Sequence, residues 1–223
     1  MRREDADAIM ARNGWLASQP DDFRTEVLRS AVLIFFEAGR TIFRMGDEPG
    51  GIYGLVSGKA TLNTAPEDST PKLIQSSIPG HWAGEFCFFS RQPRRAGMQA
   101  RVPTWLMHLP LHQMDRMARE DPRAIIGFSL IATATIDVTV QIIHDLQKLD
   151  PAKRVAATLL RSVWIERDLV VLTQAEIGEM ACASRRQVNI IMGKFEKKGW
   201  IRIGYGEIHI LDSGALRDFS SED

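Results

Sequence analysis

Apolar residues change their period twice along this chain. From about Phe35 to Leu109 they come in short runs cut by Gly39, Gly46, Gly50, Gly51, Gly54 and Gly58. Ile52–Leu62, Lys72–Ile78, Met98–Val102 and Trp105–Leu109 read as strands, and residues 65–71, with Pro66, Asp68, Ser69 and Pro71, as a hairpin connection. Short strands at such spacing predict a small antiparallel β-roll or jelly roll. Asp21–Ser30, ahead of it, reads as helix.

After Pro110 the period becomes helical. Leu111–Arg119 predicts a short helix, and Pro122, suited to a first helical turn, opens a longer one to about Leu149. Within it Ile125, Phe128, Ala132, Thr135, Thr139, Ile142, Leu146 and Leu149 alternate steps of three and four, the seam of a two-stranded coiled coil. That spacing predicts a homodimer. Ile131, Ile136, Val140 and Ile143 are apolar as well, so the same helix is expected to pack on the β-roll. Asp150-Pro151 ends it, because proline disfavours helix at the residue before it. Ala152–Glu166 follows as an amphipathic helix with Val155, Leu159, Leu160 and Val163 on one side.

Thr173–Ile210 predicts a winged helix-turn-helix. Thr173 with Glu176, and Ser184 with Gln187, are two capping boxes separated by Ala181-Cys182-Ala183, so two helices start close together. Val188, Ile191, Met192 and Phe195 face inward on the second helix, while Arg186, Ile190 and Gly193 face out and Arg185 and Asn189 flank them. Trp200–Ile203 and Glu207–Ile210 alternate around Gly204-Tyr205-Gly206 as a strand-turn-strand wing. Between Ser184 and Ile203 six basic residues face one acid, Glu196, although the formal net charge of the chain is +0. Local positive charge on a neutral protein suits a polyanion bound at one face.

Composition narrows the class. With 223 residues, 44% hydrophobic and 25% charged, the chain reads as one large or two modest soluble domains. No uninterrupted apolar run approaches the ~20 residues of a membrane span, and Met1-Arg2-Arg3-Glu4-Asp5 opens no signal-peptide core, so a cytoplasmic protein without membrane contact is expected. Cys87 and Cys182 fall in different segments and are too few for an iron-sulfur cluster. His81, His144 and Cys87 are the residues a haem would need, and Cys182 is either a small buried turn residue or a redox group. His81, Glu85 and His108 loosely suggest a jelly-roll metalloenzyme; without a close histidine pair, a nucleophile-base arrangement or a Walker-type loop, no enzyme and no resident metal are expected.

The order of these parts resembles the Crp/Fnr superfamily of bacterial transcription regulators. The resemblance runs from about Phe23 to Phe219, anchored by Gly39, Gly46-Asp47, Gly58, Gly84-Glu85-Phe86, Pro93-Arg94-Arg95-Ala96, Asp150 with Arg154, and Ser184-Arg185 with Val188. It implies an α+β protein. Residues 1–120 would form a cyclic-nucleotide-binding-like β-roll, 121–149 a dimerisation helix and 150–223 the winged helix-turn-helix. It also implies a cassette of Gly84, Glu85, Phe86, Arg94, Arg95 and Ala96. There Glu85 would accept from a ribose hydroxyl and Arg94 would fork onto the phosphate of cAMP or cGMP, with Thr139 reaching the purine from the long helix. Arg95 stands where such regulators carry a serine or threonine, so a degenerate cassette in a ligand-independent member is the alternative.

On DNA the resemblance puts the second helix in the major groove of a palindromic site with half-sites ~34 Å apart. Arg185 would read guanine, Arg186 guanine or phosphate, and Ile190 a thymine methyl; Thr173, Gln174, Gln187, Asn189 and Lys194 would position phosphates, with Asn189 able to read adenine. Ser184 caps the helix. RNA polymerase is the further partner the family implies.

Overall fold

The computed structural model describes residues 1–64, 70–163, 168–204 and 206–221. Backbone contacts divide the chain into two compact units, Met1–Ser69 with Ser77–Asp137, and Thr70–Ser76 with Val138–Asp223.

The first unit opens with α1 (Arg3–Arg12), α2 (Gly14–Ala17) and α3 (Asp21–Ser30), of which only α3 is legible in the sequence. On α1 the buried stripe is only Ala6 and Met10, four residues apart, too narrow for periodicity to mark. Strands β1 (Val32–Phe36), β2 (Thr41–Phe43), β3 (Ile52–Ser57) and β4 (Ala60–Thr64) follow. Sequence reading merged the last two into one run. Gly58, at φ +94°, turns the chain between them where a Cβ would meet the Pro103 carbonyl. After β5 (Lys72–Ser77) come β6 (Trp82–Ala83), α4 (Phe86–Ser90), β7 (Gly97–Ala100), β8 (Thr104–Leu109) and α5 (Leu111–Glu120). One sheet has the order β1-β8-β3-β6, and β2-β7-β4 run as neighbours in the other. Among the described residues these strands pair antiparallel, with β3 shifting register against β8 between Leu55 and Ser57. The expected antiparallel roll is therefore present.

Its core continues into the first half of α6 (Arg123–Gln147). Phe128 is fully buried among Trp15, Phe23 and Phe88, and Trp15 donates to the Gly127 carbonyl at 2.8 Å. A side chain at Gly127 would meet the Phe23 ring at 2.7 Å, so glycine is what lets α6 approach this cluster.

The second unit holds the rest of α6, α7 (Pro151–Ser162), β9 (Leu169–Val170), α8 (Gln174–Met180), α9 (Arg185–Lys197), β10 (Ile201–Ile203), β11 (Ile208–Ile210) and α10 (Ser213–Ser221). The end of the predicted Ala152–Glu166 helix, Ala65–Ser69 of the predicted hairpin connection and Tyr205 of the predicted wing turn lie outside the described residues. The sheet order β10-β11-β9 makes the wing a three-stranded sheet, and Val155, Leu159, Ile177, Val188, Met192 and Phe195 form the core beneath it. α6 breaks where proline demands, and Asp150 caps α7 by accepting from the Ala152 N–H at 2.8 Å.

Candidate nucleic-acid interface and effector cassette

Both capping boxes are formed. Thr173 accepts from the Glu176 N–H while the Glu176 carboxylate takes the Thr173 N–H at 2.8 Å; Ser184 and Gln187 repeat the exchange. Helix starts are thereby fixed by residues on the helices themselves. Two backbone features complete the turn between them. Cys182 is exposed at φ +48°, and Gly178 leaves space where a Cβ would lie 2.5 Å from the Ala183 carbonyl.

The outward face of α9 carries Arg185, Arg186, Gln187, Asn189, Ile190 and Lys194, all exposed, over buried Val188, Ile191, Met192 and Phe195. Ile190 is 51% exposed, an apolar side chain among charges. Asn189 donates to the Gln174 side chain at 3.2 Å, which links the start of α8 to the middle of α9. Thr173 already donates its hydroxyl proton to Glu176 at 3.0 Å, whereas Gln187 spends only its side-chain oxygen on the Ser184 N–H and keeps its amide N–H donors for a phosphate.

Sequence reasoning missed the role of Arg154. Its guanidinium donates to the carbonyls of Ala181 (2.8 Å), Cys182 (3.2 Å), Lys148 (2.6 Å) and Leu149 (3.1 Å), tying the helix-turn-helix turn to the end of α6. Five donors in a fixed fork suit arginine to this clamp. A polar residue four places after an α7 cap carries no signal that it will serve a turn nearly thirty residues away.

In the first unit the cassette residues come together, but around one another. Glu85 is 1% exposed, and its carboxylate accepts from the Thr135 hydroxyl at 2.9 Å. Burial raises its pKa, against the lowering effects of backbone N–H groups, Thr135 and Arg94. Arg94, 5% exposed, lays its guanidinium 4.3 Å from the Phe43 ring centre and donates to the Gly84 carbonyl at 3.3 Å. Gly84, at φ +105°, leaves the room that this guanidinium occupies. Beyond Phe43 the stack continues through Tyr53 to His108, whose ring lies 4.2 Å from that of Tyr53. Phe86 opens α4, Arg95 is exposed and Ala96 half-buried, and the Arg95 carbonyl accepts from Thr64. Thr139 belongs to the second unit and is exposed.

Two predicted seam residues are therefore corrected. Phe128 is spent on the core of its own unit, and Thr135 on Glu85. Ala132 and Ile142 are half-buried, Leu149 follows the end of α6, and the most exposed apolar residues along α6 include Ile126, Ile136, Val140 and Ile143. Because α6 is apolar on nearly every side, periodicity alone does not choose which residues face the roll. The helix is also long and apolar enough to cross a bilayer by length and composition, although polar residues such as Ser129, Thr133 and Thr135 interrupt its apolar run.

His81 pairs its Nδ1 with Ser77 at 3.0 Å, Glu85 with Thr135, and His108 stacks on Tyr53; among the described residues no three such groups are placed to hold a metal ion.

Two family models match the chain, the cyclic nucleotide-binding domain over residues 33–121 and the Crp-like helix-turn-helix domain over residues 153–219. The chain is a Crp/Fnr family transcription regulator. This regulator is 24% identical to the CRP-like cAMP-activated global transcriptional regulator of Mycobacterium tuberculosis, over 94% of this chain and 97% of the relative. It is 21% identical to the cAMP-activated global transcriptional regulator CRP of Escherichia coli, over 72% and 80%. Among solved structures it shares its fold with FixK2 from Bradyrhizobium japonicum, at a TM-score of 0.76 and 14% identity over 86% and 98% of the two chains. The global regulator CLP of Xanthomonas campestris gives 0.66 and 15%, over 86% and 99%.

Proposed function

We propose that this regulator acts in the cytoplasm as a homodimer on a palindromic operator, with its cassette closed by the chain's own groups. The observation that carries the DNA half is the outward face of α9, where Arg185, Arg186, Asn189 and Ile190 stand exposed on a helix whose start is fixed by its cap. Arg185 is assigned guanine O6 and N7, Ile190 a thymine methyl, and Gln174, Lys194 and the Thr173 backbone region the phosphates.

Residues 121–149 are assigned as the dimer helix, with the seam moved onto the exposed residues Ile126, Leu130, Ile136, Val140, Ile143 and Leu146. A second copy suits this face better than lipid, because Thr133, Asp137, Thr139 and Gln141 interleave it. Residues 1–120 and 150–223 are then the effector-like and DNA-binding domains, and polymerase contact follows from the family role.

The closed-cassette half rests on Glu85 and Arg94. A cyclic nucleotide would need both groups, yet one accepts from Thr135 and the other lies on Phe43, and Arg95 brings a cation where a neutral hydroxyl would donate. Nucleotide gating is the second reading, favoured by the family model over residues 33–121 and by the cAMP-activated relatives. Selection of bound sequences from a random DNA pool, with and without cAMP and cGMP, tests both halves. An inverted repeat with half-sites one helical turn apart is expected, unchanged by either nucleotide. A site without dyad symmetry overturns the dimer reading, and a nucleotide-dependent change in affinity or melting temperature overturns the closed cassette.

A further inference from the structure

Charges at the end of α6 are out of balance. Asp145, 4% exposed, accepts from Gln141 at 2.9 Å and is ion-paired with Arg161, while Lys148 Nζ lies 3.8 Å from its other oxygen. Two cations thus share one carboxylate, and their side chains are only 10% and 16% exposed. Lys148 has a further neighbour in His144 Nδ1 at 3.4 Å, an imidazole rather than an anion. Arg161 Nε is buried with no acceptor among the described residues, and burial lowers the Arg161 pKa despite the opposing pull of Asp145. Buried positive charge in excess of its partners is costly unless an anion completes it.

These groups line a cavity of about 1100 Å³, slightly larger than the ~300–1,000 Å³ usual for small-molecule sites. Val140, Leu149 and Leu160 supply apolar wall, and Arg217 joins from α10. We propose that this cavity binds a small organic oxyanion, its phosphate or carboxylate head on Arg161 and Lys148 and its apolar body against Leu149 and Leu160. Every residue named lies in the second unit, so the site is independent of the cassette. It also stands apart from the DNA-reading assignments.

Titration calorimetry and thermal melting of the full chain test this with phenyl phosphate, benzoate and inorganic phosphate as probes. Phenyl phosphate or benzoate should bind saturably and raise the melting temperature, with whichever binds tighter identifying the head group; inorganic phosphate, lacking the apolar body, should bind at least about tenfold more weakly. Lys148→Gln and Arg217→Gln should each weaken the bound probe by about tenfold, the loss of a charge-assisted contact, while operator affinity stays unchanged. If Lys148→Gln does not fold, the exposed Arg217→Gln carries the same comparison. Absence of saturable binding by either organic probe up to about 10 mM, a level weaker than useful affinity, overturns the proposal. Inorganic phosphate binding as tightly as both organic probes, or affinity unchanged in every folded variant, overturns it equally.

Discussion

Both α9 and α6 of this regulator carry apolar periodicity, and only α9 displays the face that the periodicity picks out. On α9 the inward residues Val188, Ile191, Met192 and Phe195 are all buried, and of the residues assigned to solvent Arg186 and Ile190 are exposed and Gly193 half-buried. On α6 the assigned seam is out of register: Phe128 and Thr135 turn into their own unit, and Ile136 and Val140 are left outside. The difference is one of alternatives. α9 has a single apolar stripe and a cap of its own, so local sequence has one solution. α6 is apolar around most of its circumference, and the choice of face belongs to what packs against it.

The largest effect that sharpens this contrast comes from Phe128. Phe128→Ala removes a fully buried ring from the first-unit core and is expected to cost about 3–5 kcal/mol of stability. Ile143→Asp, on the exposed side, should leave that core intact and weaken self-association instead. Denaturant melts read the first outcome and sedimentation velocity the second. If Phe128→Ala dissociates a dimer while its protomer stays fully stable, and Ile143→Asp does neither, the seam stands as the spacing alone assigned it.

Next in size is the Thr135–Glu85 bond. Thr135→Val leaves a buried carboxylate short of a donor, which should cost about 1–3 kcal/mol near neutral pH. The sign with pH follows from burial. The Glu85 pKa is raised above 4.5, so its contribution is fully present below that value and is lost as pH rises through the folded pKa. Glu85→Gln should therefore flatten the fall in stability on that limb, and it should shrink the cost of Thr135→Val in a double-mutant cycle. His81 acts in the opposite direction. Burial lowers its pKa from 6.5 to about 4, so it stabilises above 6.5 and that contribution is lost as pH falls through about 4. Melts from pH 4 to 8 separate the two limbs. An unchanged alkaline limb in Glu85→Gln would show that the carboxylate does not carry its share.

The cassette and the recognition motif teach the same lesson about legibility. Thr173, Glu176, Ser184 and Gln187 declare their bonds because the partners are three residues apart. Glu85 and Thr135 are fifty positions apart, and Arg94 meets Phe43 across the roll, so the residues were identifiable while their partners were not. The strands suffered similarly: β3 and β4 are both apolar enough to read as one run, and only the positive φ at Gly58 divides them. Arg154 is the extreme case, a hinge anchor in sequence and a four-carbonyl clamp in space.

Arg185 tests the legible side. Arg185→Ala is expected to cost about 1–3 kcal/mol at the guanine it reads and to relax selectivity at that position, with little change in melting temperature because the side chain is exposed. Competition binding against operators substituted at each half-site position measures it. Full operator selectivity in the variant would move guanine reading to Arg186.

The smallest effect sits at Ile190, and it separates a reading residue from an idle one. An isoleucine 51% exposed adds little to the core, so Ile190→Ala should leave stability nearly unchanged. If the side chain covers a thymine methyl, burying that group contributes about 0.8 kcal/mol, or roughly a fourfold change in affinity. Uracil keeps every hydrogen-bonding edge of thymine and lacks only the methyl. Replacing thymine by uracil at the contacted half-site position should therefore weaken the wild-type complex about fourfold and leave the Ile190→Ala complex unaffected. Equal losses in both proteins would mean that the methyl is read elsewhere on the helix, and no loss in either would mean that Ile190 merely faces the groove.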